Sequence, residues 1–130
     1  MYLKTAINTH VSDDYARFPT TLDTKFDVVV IDGGGILSQD TRMLCARVVK
    51  EILNTSSKEG VMVILDNADW YNSIARFLRK SDFIEVDFSL FGAINCYTWT
   101  TSIFLSRDFA FRPKDRQPDY SIAAIRHHII

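Results

Sequence analysis

Apolar residues in this chain fall into two unbroken runs, Val28 to Ile31 and Val61 to Leu65. A strand carries such a run when helices cover both of its faces. Between the runs, Leu44, Val48 and Ile52 recur at helical spacing beside Val49 and Leu53, with Arg42, Arg47, Lys50 and Glu51 elsewhere on the turn. The pattern predicts an amphipathic helix from about Thr41 to Asn54, capped by Gln39 or Asp40. Ser56 to Gly60 then supplies turn chemistry. Trp70, Ile74, Phe77 and Leu78 stand at i, i+4, i+7 and i+8, predicting a second helix over Asp69 to Arg79 with Trp70 in its buried stripe. A third strand is expected at Phe83 to Phe88 and a fourth from Tyr97 to Ser106. In the fourth, Tyr97, Trp99, Thr101, Ile103 and Leu105 share one face. Ser89 to Cys96 has no room for a crossover helix, so the closing pair is expected to be antiparallel. Alternating strands and helices place the chain in the α/β class, as a single domain over residues 1–130.

The ends are less patterned. Met1 to Lys25 contains a short strand-like stretch, Leu3 to Asn8, and a polar segment through Ser12 and Asp13 to Pro19. The α/β core spans residues 26–106. Beyond Arg107 the chain turns polar, with Pro113 and Pro118, before an amphipathic, helix-compatible ending at Tyr120 to Ile130. Composition supports a real core: 47% of residues are hydrophobic and 12% aromatic. Fifteen basic and sixteen acidic residues leave a net charge of -1, which gives no broad field to attract nucleic acid or an anionic membrane. Cys45 and Cys96 lack metal-ligand spacing, so reduced thiols in a cytoplasmic setting are expected. No signal peptide is visible and no apolar run is long enough to span a bilayer.

The chemistry gathers where the apolar runs stop. The first ends at Asp32, followed by Gly33, Gly34 and Gly35; the second ends at Asp66, followed by Asn67. Parallel strands open their carboxyl ends to a ligand crevice. Neighbouring strands lie about 4.8 Å apart, so these side chains can converge. Asp32, Asp66 and Asn67 form an oxygen-rich set suited to a hard cation such as Mg²⁺ or Ca²⁺. The competing account is that short polar residues satisfy backbone amides in turns. Trp70 and Tyr71 are placed to wall a planar substrate, although an aromatic in a helical stripe is more often core. Asn95 and Tyr97 belong to the hairpin loop on the same rim and are candidate substrate contacts. His10 has no visible partner, and the adjacent His127 and His128 suit a solvated tail better than a metal pair. Arg107, Arg112, Lys114 and Arg116 form a loose solvated basic run. Gly33-x-Gly35-x-x-Ser38 outlines a dinucleotide-binding turn, but Ser38 replaces its third glycine. The helix also starts too late to bring the turn against its amino end.

A strand ending in Asp-Gly, a helix, a strand ending in Asp-Asn, a helix and an antiparallel hairpin together resemble the second half of a class I S-adenosylmethionine-dependent methyltransferase. Phe26 to Gly33 looks like that fold's fourth strand, Gly60 to Asn67 like its fifth, and Phe91 to Leu105 like the turn into its reversed seventh, in the wording of little-characterised bacterial members. The resemblance covers roughly Tyr15 to Arg107. It implies a partial Rossmann-like sheet, mostly parallel, with a closing antiparallel hairpin and helices on both faces. It implies S-adenosylmethionine beside Asp32, Gly33 and Gly34, and a small-molecule substrate near Asn67, Trp70, Asn95 and Tyr97. The set Asp32, Asp66 and Asn67 is similar to the metal site of catechol and caffeoyl-CoA O-methyltransferases, which implies Mg²⁺. One departure stands out: the five glycines are Gly33, Gly34, Gly35, Gly60 and Gly92, so nothing upstream forms the family's glycine-rich cosubstrate turn. The chain is then a fragment, an unusually short relative, or a half that needs a partner chain, and it is a transferase once that half is supplied. The alternatives are a non-catalytic oligomerisation or assembly module and a degenerate dinucleotide-binding domain. The strand at Phe26 to Asp32 would present an apolar edge, covered by Met1 to Asn8 or by a second copy, so a homodimer or higher oligomer is expected.

Overall fold

A computed structural model of the chain describes residues 12–33, 39–91 and 97–110. In chain order it contains helix α1 (Ser12–Arg17), a 3₁₀ turn (Phe18–Thr21), strand β1 (Val28–Ile31), helix α2 (Gln39–Ile52), strand β2 (Met62–Leu65), helix α3 (Asn72–Lys80) and strands β3 (Ile84–Phe91) and β4 (Thr98–Leu105). The α/β class is as expected.

The four strands form one sheet in the order β1-β2-β4-β3. β1 and β2 run parallel, from Val28 opposite Met62 to Ile31 opposite Leu65. β4 runs antiparallel to both neighbours, with Leu105 flanked by Met62 on one side and Ile84 on the other. The hairpin is therefore antiparallel as its short connection requires. The sheet is mixed and not mostly parallel, because the last strand inserts between β2 and β3 and contributes two of the three ladders.

Side-chain alternation divides the sheet into two unlike faces. Ile31, Val63, Leu65 and Phe104 are buried on one face against Ala46, Val49 and Leu53 of α2 and Ile74, Ala75 and Leu78 of α3. On the other face Val28 and Val30 are 50% and 60% exposed, and Ile84, Val86, Phe88 and Leu90 range from 40% to 76%. The expectation of helices on both faces is thus corrected: among the described residues both long helices pack on the same face. An unbroken apolar run records that both faces of a strand are apolar, which is a different property from both being covered.

α1 and the 3₁₀ turn lie against the outer side of α2, where Ala16, Val48 and Ile52 are buried outside the main cluster. α3 begins at Asn72, three residues later than the periodicity suggests, because Asp66 to Trp70 form turns first. Trp70 consequently leaves the buried stripe and is 53% exposed. Gly60 closes the turn before β2 with φ +78, and a Cβ there would lie 2.5 Å from the Phe109 Cα, so the position requires glycine. The stretches Leu3 to Asn8 and Tyr120 to Ile130, together with His10, Arg112, Lys114, Arg116, His127 and His128, lie outside the described residues.

Candidate functional site at the carboxyl ends of the parallel strands

β1 and β2 end side by side, which brings Asp32 and Asp66 to one end of the sheet; the Asp66 N–H still donates to the Ile31 carbonyl at 3.1 Å. The chain leaves β1 through an exposed Asp32, whose carboxylate accepts the N–H of Gly33 in a tight turn at φ +76. A buried guanidinium ties the two strand ends together. Arg42, in the first turns of α2 and only 6% exposed, donates through Nε to the Gly33 carbonyl at 2.8 Å and through Nη1 to the Asp66 carbonyl at 2.7 Å. Its Nη2 stands 3.5 Å from Asp32 Oδ1, and the group lies 4.2 Å from the centroid of the Tyr71 ring. Five fixed donors on a plane suit this double-carbonyl bridge, which an ammonium could not reproduce.

On the β2 side, the Thr101 hydroxyl donates to Asp66 Oδ1 at 2.7 Å. Asn67 adopts a left-handed conformation, φ 55, one that asparagine tolerates better than most residues. It is 7% exposed, and its Nδ2 has no hydrogen-bond partner among the described residues. Asp32 and Asp66 thus follow neighbouring strand ends, but each carboxylate already has a partner and Arg42 supplies the positive charge beside Asp32. Among the described residues no group of three or more His, Cys, Asp or Glu is placed to hold a metal ion. The donor set does not fit a cation well while the guanidinium occupies this position.

The turn after β2 is stitched to β4: the Ala68 N–H donates to the Thr100 carbonyl at 2.7 Å, and the Thr100 N–H to Asp69 Oδ1 at 3.3 Å. This stitching carries Trp70 onto the hairpin. Its ring lies 5.3 Å from that of Trp99 and 6.3 Å from that of Tyr97, and Tyr97 and Trp99 are 5.4 Å apart, with planes inclined by 21° to 30°. Three near-parallel rings form an aromatic step at the carboxyl-end rim of the exposed sheet face. Trp70 and Tyr97, expected as substrate contacts, are brought together; Asn95, Gly34, Gly35, Ser38 and Cys96 lie outside the described residues.

Comparison with protein-family models and with curated proteins finds no match to this chain. No helix among the described residues is long and apolar enough to cross a membrane.

Two features of the site escape a reading of periodicity alone. Arg42 falls on the stripe Arg42, Ala46, Val49, Leu53, at i, i+4, i+7 and i+11, which is the face α2 buries against the sheet. Its position in that stripe is the signal that would have marked it as internal. Trp99 joins the ring cluster because β4 presents it beside Tyr97, and its buried Nε1 has no hydrogen-bond partner among the described residues. Elsewhere, an open hollow of about 490 Å³ lies at the amino end of β2, between Leu53, Gly60, Phe83 and the exposed Arg107–Asp82 ion pair. It sits at the opposite end of the strands from the acids. Cys45, half-buried on α2, has its thiol pushed up by burial, against the opposing pull of a backbone hydrogen bond and the Arg42 charge.

Proposed function

We propose that this chain is the substrate-side portion of an S-adenosylmethionine-dependent methyltransferase-like fold, with its ligand crevice at the carboxyl ends of β1 and β2. The observation that carries the reading is the acid-ended parallel pair itself: Asp32 and Asp66 terminate neighbouring strands, with the reversed β4 next to β2. Crevices at such strand ends are where open α/β sheets bind ligands. The exposed Asp32 and Gly33 suit the polar edge of the cosubstrate. The buried, unpartnered amide of Asn67 and the rings of Trp70 and Tyr97 suit a planar polar acceptor, by hydrogen bonding and stacking. When bound, the cosubstrate supplies an electrophilic methyl group. The residues of this chain hold and orient ligands around it, with Arg42 fixing the two strand ends that do so. No glycine precedes Gly33, so the glycine-rich cosubstrate turn is not among these residues, and no transfer step is assigned to them.

Calorimetric titration with S-adenosylmethionine, with and without Mg²⁺, tests this reading. Heat that disappears in Asp32→Ala is expected; no heat in either condition overturns binding by this chain alone. A second reading, a non-catalytic assembly module, is favoured by the exposed apolar face of the sheet.

A further inference from the structure

The sheet face opposite α2 and α3 is apolar on all four strands. Register places Val28 and Val30 beside Met62 and Ile64, these beside Leu105 and Ile103, and these in turn beside Ile84 and Val86. Val28, Val30, Ile84, Val86, Phe88 and Leu90 are each at least 40% exposed, and Trp70 and Tyr97 extend the patch at its carboxyl end at 53% and 44%. With whole-residue areas of roughly 150–250 Å² for side chains of this size, these exposures leave about 800 Å² of contiguous apolar surface, beyond the 300–600 Å² typical of a monomer's largest patch. It matches the roughly 800 Å² that each partner contributes to a standard stable interface.

We infer that this face is the dimer interface of the protein, packed on the same face of a second copy as a two-sheet sandwich. The charge pattern selects a second copy. A two-fold interface sets a patch against itself, so a charge within it is left unpaired unless the same patch also carries the opposite charge. The ladder positions of this face carry no charge; the half-buried Asp66 carboxylate lies one residue past the β2 ladder, at the carboxyl-end margin, where the Thr101 hydroxyl holds it. The one hydroxyl among them, Thr101, is already donated to Asp66 and is not left unsatisfied by burial. Sheets whose inner faces are aliphatic and aromatic pack about 10 Å apart at a mutual angle of about 30°. The interface lies on the face of the sheet and leaves the β1 edge free. The interface shares Trp70 and Tyr97 with the rim of the proposed crevice, but it uses neither strand-end acid, and the positions that test it, Val30, Val86 and Phe88, lie on the strands away from that rim.

Sedimentation velocity of the full chain across the micromolar range tests it, alongside the variant Val30→Thr/Val86→Thr/Phe88→Thr. Threonine keeps strand preference while making the exposed face polar. A reversible dimer is expected, with a dissociation constant raised at least about tenfold in the variant at unchanged far-ultraviolet dichroism. Hydrogen exchange should leave the outward N–H groups of β1 as fast in the dimer as in the monomer. If the triple variant fails to fold, Val86→Lys alone gives the same readout at one exposed position. A wild-type monomer at every concentration overturns the inference, as does a dimer indifferent to these substitutions or one that protects the β1 edge. A monomer whose face is shielded from solvent by its own terminal segments overturns it too.

Discussion

At the residue scale, Arg42 decides most about the strand ends. Its guanidinium satisfies two carbonyls that belong to different turns, and its burial means that water cannot replace it. The ion pair with Asp32 matters less, because that carboxylate is 59% exposed and screened. Arg42→Met keeps the apolar stem and leaves both carbonyls unpaired; a loss of about 2–4 kcal/mol is expected in urea unfolding. Arg42→Lys should recover less than half, since an ammonium is not a planar fork, and full recovery would show that charge alone suffices. Cys45 makes a pH-dependent contribution. Burial raises its thiol above the ordinary value of 9.0. Its stabilising effect is therefore complete below that value, then lost as rising pH ionises the thiol in the unfolded chain ahead of the folded one. In a Cys96→Ser background, stability should fall more steeply as pH rises above 9.0 with Cys45 present than in Cys45→Ala. Equal slopes would show that the thiol is not shielded.

At the scale of elements, the segment from Asp66 to Tyr71 explains what could and could not be foreseen. The parallel pair, α2 and the hairpin were legible because each has its own period: continuous for the buried strands, 3.6 for the helix and 2 for β4. Trp70 was not, since a turn that places an aromatic four residues before Ile74 has the same spacing as a helix. α1 was also missed: Ser12–Arg17 is a polar segment supported locally by an exposed Asp13–Arg17 pair at 3.3 Å, with little hydrophobic signal. At the site, Asp32, Asp66, Asn67 and Tyr97 could be placed from strand ends alone, whereas Trp99 depended on which way β4 faced and Arg42 on which stripe of α2 met the sheet. The Asp66–Tyr71 segment is held to β4 by Asp69, so Asp69→Ala should accelerate exchange of the Thr100 N–H and weaken the near-ultraviolet signal of the Trp70–Trp99 stack. Global stability should fall by no more than about 1 kcal/mol, because the lost bond is long and exposed. Unchanged exchange at Thr100 would mean that the Ala68 bond alone fixes the turn.

At the scale of the molecule, the asymmetry of the sheet organises the rest. One face is closed by α2 and α3 and supplies the core; the other presents aliphatic and aromatic side chains of all four strands, and leads at its carboxyl end to the aromatic step beside Asn67. A chain with net charge -1 has little electrostatic repulsion to keep such faces apart. The chemistry of the contact fixes how association responds to solution conditions. Apolar burial is strengthened by sulfate, which is excluded from protein surfaces, whereas contacts between exposed charges are screened once the Debye length falls to about 3 Å at molar salt. The dimer should therefore hold or tighten from low to molar sodium sulfate, with a negative heat capacity of association, and its melting temperature should rise with protein concentration because association stabilises only the folded chain. Weakening in molar salt would assign the contact to surface ion pairs, away from the sheet face. The exposed valines of β1 would then be a solvated surface, and the aromatic step would stand alone as the rim of the ligand crevice.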